Sequence, residues 1–162
     1  MLSPELVKEL SPEMQSCIEV TCSDAYTRRI KFISIEHLIL KMLDAPDVVR
    51  ELVARAVNVP VVHKDLEDWL RRNTETFPPK EEATCPETML NFSRVIERAK
   101  GQVSSKYPQT VVPPVAPLDV LIALLDENHS IAKTLLRANG LKGKDMQELR
   151  KGIPKKKSIR TW

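Results

Sequence analysis

Ser34-Ile35-Glu36-His37-Leu38-Ile39-Leu40-Lys41-Met42-Leu43-Asp44 decides the fold, together with the stretch standing 82 residues further on, Ala116-Pro117-Leu118-Asp119-Val120-Leu121-Ile122-Ala123-Leu124-Leu125-Asp126. Leu38, Ile39, Leu40, Met42 and Leu43 fall on Val120, Leu121, Ile122, Leu124 and Leu125, and Asp44 falls on Asp126. A run so short and so evenly apolar has no wet face, so it predicts a helix buried on most sides, with Ser34 as N-cap. The same shift carries Val49, Val53, Arg55, Ala56 and Val59 onto Ile131, Leu135, Arg137, Ala138 and Leu141. It also sets Asn58 on Gly140, the two residue types best suited to the left-handed conformation that ends a helix. A helical unit repeated in tandem follows.

Working outward, Ser11-Pro12-Glu13 opens a helix with an N-cap serine and proline at the first position, and its stripe is Met14, Ile18, Cys22 and Ala25. A second stripe, Met89, Phe92, Ile96, Ala99 and Val103, predicts a helix from Pro86 to about Lys106. An offset of 74 lays Pro12, Glu13, Ile18, Cys22 and Ala25 over Pro86, Glu87, Phe92, Ile96 and Ala99. Pro46-Asp47 starts a helix ending near Asn58, and Pro60 starts another that carries Leu66, Trp69 and Leu70. Between Tyr107 and Ala116 the prolines at 108, 113 and 114 forbid helix, and Thr110-Val111-Val112 reads as briefly extended. Three further helices begin near Pro117, Ser130 and Lys142. The expectation is an all-α protein of eight helices in two tandem four-helix repeats with pseudo-two-fold symmetry. Its parts are an N-terminal extension (1–10), a first repeat (11–73), a linker (74–85), a second repeat (86–152) and a basic tail (153–162).

Composition limits the function. The 162 residues are 42% hydrophobic and 29% charged with four glycines, which suits a helical globular chain. The net charge of +3 is local, because Lys155, Lys156, Lys157 and Arg160 lie in the tail and the rest holds 21 basic against 22 acidic residues. That argues against a nucleic-acid face spread over the body and leaves the tail as its one candidate. Three scattered cysteines suit a reducing compartment, and no 18-residue apolar run is present, so a cytoplasmic chain without a membrane contact is expected. The chain contains no Gly-x-x-x-x-Gly-Lys-Ser/Thr, Gly-x-Ser-x-Gly or His-Glu-x-x-His pattern. His37, in a first helical turn, reads as a capping partner, while Cys17, Cys22 and His63 read as packing rather than a metal site. No enzyme, metal or cofactor is expected.

Ile33 to Leu43, and Phe92-Ser93-Arg94-Val95-Ile96-Glu97-Arg98-Ala99, resemble the Clp N-terminal domain, the double four-helix module that precedes the rings of the Clp ATPases, in its ClpA-like form. The resemblance runs from about Ser11 to Gly152. It implies a non-catalytic protein-binding module that docks adaptors, as ClpS docks on ClpA, or substrates for an AAA+ unfoldase. Clp ATPase subunits, a ClpS-like adaptor or substrate proteins are the implied partners, and Glu36, His37, Arg28, Arg29, Lys31 and Asp119 the implied contact residues. Two departures stand out. Leu118 occupies the counterpart of Glu36, against a paired phosphoarginine site, and Arg28, Arg29 and Lys31 stand where ClpA-like modules are acidic. With no phosphate-binding loop, the chain reads as an excised domain or as a stand-alone accessory protein whose basic tail touches nucleic acid or another anionic surface. The apolar seam between the halves is the expected working surface.

Overall fold

The computed structural model describes residues 2–108 and 111–152; Thr110 and the basic tail lie outside the described residues. The first half holds α1 (Pro4–Lys8), α2 (Pro12–Thr27), α3 (Ile35–Met42), α4 (Pro46–Ala54) and α5 (Val59–Asn73). The second holds α6 (Leu90–Lys106), α7 (Pro117–Leu124), α8 (Ile131–Ala138) and α9 (Gly143–Arg150). Two short parallel strands, β1 (Phe32–Ile33) and β2 (Glu87–Thr88), join the halves in the register Phe32 to Glu87 and Ile33 to Thr88.

The two groups of four helices stand as expected, and α1 is additional. Ser3 accepts the Leu6 N–H at 3.2 Å, and Pro4 fits the first turn. Five residues with one buried side chain, Leu6, give no periodicity to read.

The start of α6 also differs, at Leu90 rather than Pro86. Glu87 is drawn into β2, where its N–H donates to the Lys31 carbonyl at 2.9 Å and the Met89 N–H donates to the Ile33 carbonyl at 2.8 Å. The helices α2 and α6 therefore align Pro12 with Leu90, an offset of 78 rather than 74. Burial agrees, since Met14, Thr21 and Ala25 are covered on α2 as Phe92, Ala99 and Val103 are on α6.

α3 and α7 lie at the centre of the core, and Leu38, Ile39, Val120, Leu121 and Leu124 are wholly buried. Here the 82-residue offset holds bond for bond. The Ser34 N–H donates to His37 Nδ1 at 3.0 Å, and the Ala116 N–H donates to Asp119 Oδ2 at 2.9 Å. At the helix exits, Ala45 N–H to Met42 O (2.9 Å) repeats as Glu127 N–H to Leu124 O (2.8 Å).

The helix stop is where the sequence alignment slips. Asn58 is not left-handed: its φ is −82°, and its side chain caps α5 by accepting the Val61 N–H at 3.4 Å. The left-handed residue ending α4 is Ala56, φ 61°, opposite Gly140, φ 123°, at the end of α8. Val57 N–H to Leu52 O and Leu141 N–H to Leu136 O, both 3.0 Å, close the same C-terminal motif in each half. The two stops also touch, because the Asn58 N–H donates to the Asn139 carbonyl at 3.0 Å. A Cβ on Gly140 would lie 2.6 Å from the Ala56 carbonyl oxygen.

Gly140→Ala therefore meets both a strained φ and a backbone clash, and urea unfolding should show a loss of more than about 2 kcal/mol. Ala56→Gly relieves the left-handed strain at the matching stop and should gain up to about 1 kcal/mol. Equal effects at the two positions would contradict this geometry.

Candidate functional site

The seam is built on the N-termini of short helices. Each begins with amides that lack partners within the helix, and these need acceptors wherever the helix starts inside the protein. Glu36, in the first turn of α3, is only 5% exposed. Its Oε2 accepts the Ala132 N–H at 3.0 Å and the Ser130 hydroxyl at 3.3 Å, so a first-half carboxylate caps α8. Burial pushes the Glu36 carboxyl up from its ordinary value, and the hydrogen bonds from Ala132 and Ser130 pull the other way. Asp47, in the first turn of α4, does the same for α7: its Oδ2 accepts the Leu118 N–H at 3.1 Å while Oδ1 accepts the Val48 N–H at 2.8 Å. Leu118, the counterpart of Glu36, needs no carboxylate of its own because Asp47 supplies one from across the seam.

His37 is an acceptor at one nitrogen and a neighbour of Thr74 at the other. Nδ1 takes the Ser34 N–H, which leaves the proton on Nε2, 3.3 Å from Thr74 Oγ1. Burial lowers its pKa to about 4, so the ring is neutral at pH 7. Asp119 occupies the matching position of α7, and burial pushes its carboxyl up.

Over this base lies a groove of about 340 Å³ with walls from both halves. Phe32, Trp69 and Leu70 come from the first half and Met89 and Ile131 from the second; Phe32 is 39% and Met89 47% exposed. Asn91 fixes the second-half wall by accepting the Ile35 N–H through Oδ1 at 3.2 Å. In an adjoining cavity that shares Glu36 and Asn91 with the groove, Glu127 binds Arg94 and Arg98, the latter at 2.8 Å, and the Arg94 hydrogen bond in particular holds its carboxyl below the ordinary value.

Of the six residues singled out in the sequence, Glu36 and His37 border this groove. Arg29 turns left-handed at φ 60° to end α2, and its guanidinium donates to the carbonyls of Pro78 (2.8 Å) and Glu81. Lys31 sits 3.5 Å from Glu75 and 5.5 Å from the centre of the Phe77 ring. Both fasten the segment between α5 and β2. Arg28 stands elsewhere, 3.3 Å from Asp24 on α2, and Asp119 serves α7. The apolar wall formed by Phe32, Met89 and Ile131 was missed in the sequence: each is an ordinary hydrophobic residue in an element end, and only the β1–β2 pairing brings Phe32 beside Met89. Among the described residues no group of three or more His, Cys, Asp and Glu is placed to hold a metal ion. Burial raises the Cys17 thiol, and His63 lies 3.9 Å from Asp44.

Two similar helical units joined by capping carboxylates, with an apolar groove along the joint, define the class: a double-repeat helical domain. The family model for the Clp repeat (R) N-terminal domain matches residues 9–139, and the chain belongs to that family. A curated relative, a ClpA homolog protein of Fuscovulum blasticum, is 28% identical over 131 residues, covering 81% of this chain. The chain matches only 16% of that relative's length. Among solved structures, the N-domain of ClpV from Vibrio cholerae superposes with a TM-score of 0.70 at 18% identity, covering 93% of this chain and 86% of that one. The ClpV N-domain in complex with a VipB peptide gives the same TM-score and identity over 93% and 88%. The N-terminal domain of ClpV1 from E. coli EAEC gives 0.68 at 18% identity over 97% and 94%. At these identities the likeness is one of fold.

The neutral His37 has a pH signature. Because its pKa falls from 6.5 to about 4 on folding, the unfolded chain takes up the proton first, so stability rises with pH between those values and is lost as pH drops through them. Urea unfolding between pH 7 and pH 4 should show a loss of up to about 3 kcal/mol that is absent from His37→Asn, with other carboxylate titrations common to both. Parallel pH profiles for the two proteins would show that His37 is not held neutral.

Proposed function

We propose that this chain is a protein-docking module of a Clp ATPase, which takes a peptide or adaptor segment into the seam groove and performs no chemistry itself. The observation carrying this reading is the groove: apolar side chains from both halves stay partly exposed over a base whose polar groups are already paired. Such a surface gains free energy by being covered, and apolar walls on both sides of the joint suit an extended or helical segment laying down apolar side chains. The solved complex of a ClpV N-domain with a VipB peptide supports the reading by fold, and family membership supports it by descent. Among the described residues no helix is long and apolar enough to cross a membrane. The reading places the module in the cytoplasm, where Cys17, Cys22 and Cys85 remain thiols.

A ClpS-like adaptor is one partner of this kind, although Lys31 is paired with Glu75 and donors of Arg29 are taken by the carbonyls of Pro78 and Glu81. Substrate segments with two or three apolar anchors are the other. Removing an exposed anchor wall should weaken either by more than about tenfold. In an array of overlapping amphipathic peptides, Phe32→Asp and Met89→Asp should lose the spots that the unmodified chain binds, with melting temperatures within a few degrees. Retention of the same spots by both variants would remove the seam as the docking surface.

A further inference from the structure

Beside His37 lies a second pocket, of about 170 Å³, formed by α2, α3, α5 and the residues that follow α2 and α5, with no residue of the second half. Its floor is apolar and covered: Ala25, Ile30, Leu40 and Leu70 are all buried. Its mouth is charged. Arg28 Nε lies 3.3 Å from Asp24 Oδ1 and Lys41 Nζ lies 3.4 Å from Asp24 Oδ2, so two cations share one carboxylate. Arg71, with 66% of its side chain exposed, reaches Glu67 and Asp68 at 3.6 Å only. The excess of positive charge is therefore at the Arg28–Lys41 side of the mouth, where two cations share the single carboxylate of Asp24 over an apolar floor, while Arg71 faces two carboxylates of its own.

This arrangement selects a ligand shape. The pocket is too small for a typical organic ligand and suits a single residue. An internal aspartate or glutamate bears its carboxylate at the tip of the side chain, so filling the floor with it would bury the charge among Ile30, Leu40 and Leu70, at a large desolvation cost. A chain-terminal residue is different, because its side chain and its carboxylate diverge from one Cα. An aliphatic side chain can go down to the floor while the carboxylate stays at the mouth, between guanidinium groups suited to planar, charge-assisted hydrogen bonds.

We propose that this pocket captures the C-terminal residue of a partner polypeptide, its aliphatic side chain on Ile30, Leu40 and Leu70 and its α-carboxylate between Arg28, Lys41 and Arg71. Charge complementarity and the split between floor and mouth carry the assignment. The second half is built differently at the matching place: Lys41 is replaced by Ala123, whose carbonyl takes up Arg98 at 3.1 Å, and α9 has eight residues where α5 has fifteen. The pocket shares His37, Leu70 and Thr74 with the seam groove but uses neither Phe32 nor Met89, while the groove uses none of Arg28, Lys41 and Arg71, so variants at these residues tell the two apart.

The test is fluorescence anisotropy with a labelled peptide ending in leucine, as the free acid and as the C-terminal amide. The free acid should bind more than about tenfold tighter than the amide. Arg28→Gln/Arg71→Gln should bring the acid down to the level of the amide, Met89→Asp should leave it unchanged, and added salt should weaken the acid alone. Equal affinity of acid and amide, equal binding by an amidated peptide with an internal glutamate, or no binding of any of them at millimolar concentration would each overturn the proposal. Loss in Met89→Asp with retention in Arg28→Gln/Arg71→Gln would also overturn it and assign the peptide to the seam. The acid-to-amide comparison on the unmodified chain decides the question without any variant.

Discussion

A helix that starts inside a protein leaves its first amides without partners, and the joint between the two halves of this molecule is made of the acceptors that meet this need. Glu36 serves α8 and Asp47 serves α7, and both carboxylates come from the first half. An amide bonded to a carboxylate is held more strongly than one bonded to a neutral acceptor, and the helix dipole adds to it. Because Glu36 is almost wholly buried, losing it would strand the α8 amides away from water. The groove above the joint keeps its width for the same reason: Met89 and Ile131 stand opposite Phe32 and Trp69 only while the α8 and α6 starts are fixed by Glu36 and by Asn91.

The duplication has drifted at the points where one side can do the work of two. Offset 82 holds through α3 and α7, and each repeat keeps a side-chain acceptor at the third helical position, histidine in one and aspartate in the other. Glu36 has no acidic counterpart, since Asp47 caps α7 from across the joint. At the helix stops, glycine is needed only at 140, where the opposing backbone leaves no room for a Cβ, and Ala56 accepts the strain in the other half. The second-half helices pair differently: Arg98 donates to the carbonyl of Ala123, the counterpart of Lys41, and Arg150 pairs with Asp126.

The double repeat was legible because α3 and α7 carry matching apolar runs, Leu38 to Leu40 with Met42 and Val120 to Ile122 with Leu124, at one fixed offset of 82. Proline and serine signals located the starts of α2, α4, α7 and α8. Three features were not legible. α1 is too short for periodicity. Glu87 and Thr88 carry no strand signal of their own, because their conformation comes from pairing with residues 55 positions earlier, which moved the start of α6 by one turn. The Asn58 and Gly140 match rested on residue type, whereas the left-handed φ falls on an alanine. At the site, Glu36 and His37 could be singled out from sequence, but not that Glu36 faces the other half, nor that Arg29 and Lys31 bind the segment at 75–81. Those facts depend on tertiary pairing.

A docking groove made by two repeats is useful only if the repeats do not slide on each other, so the capped helix starts tie the fold to its proposed use. Hydrogen exchange of the Ala132 and Leu118 amides, read residue by residue by NMR, examines this most directly. Held by the first-half carboxylates, both should exchange only through global unfolding, with the same free energy as the core amide of Leu136. Exchange of either amide orders of magnitude faster than Leu136 would mean that the second half opens from the first on its own, and a fixed groove between them would be excluded.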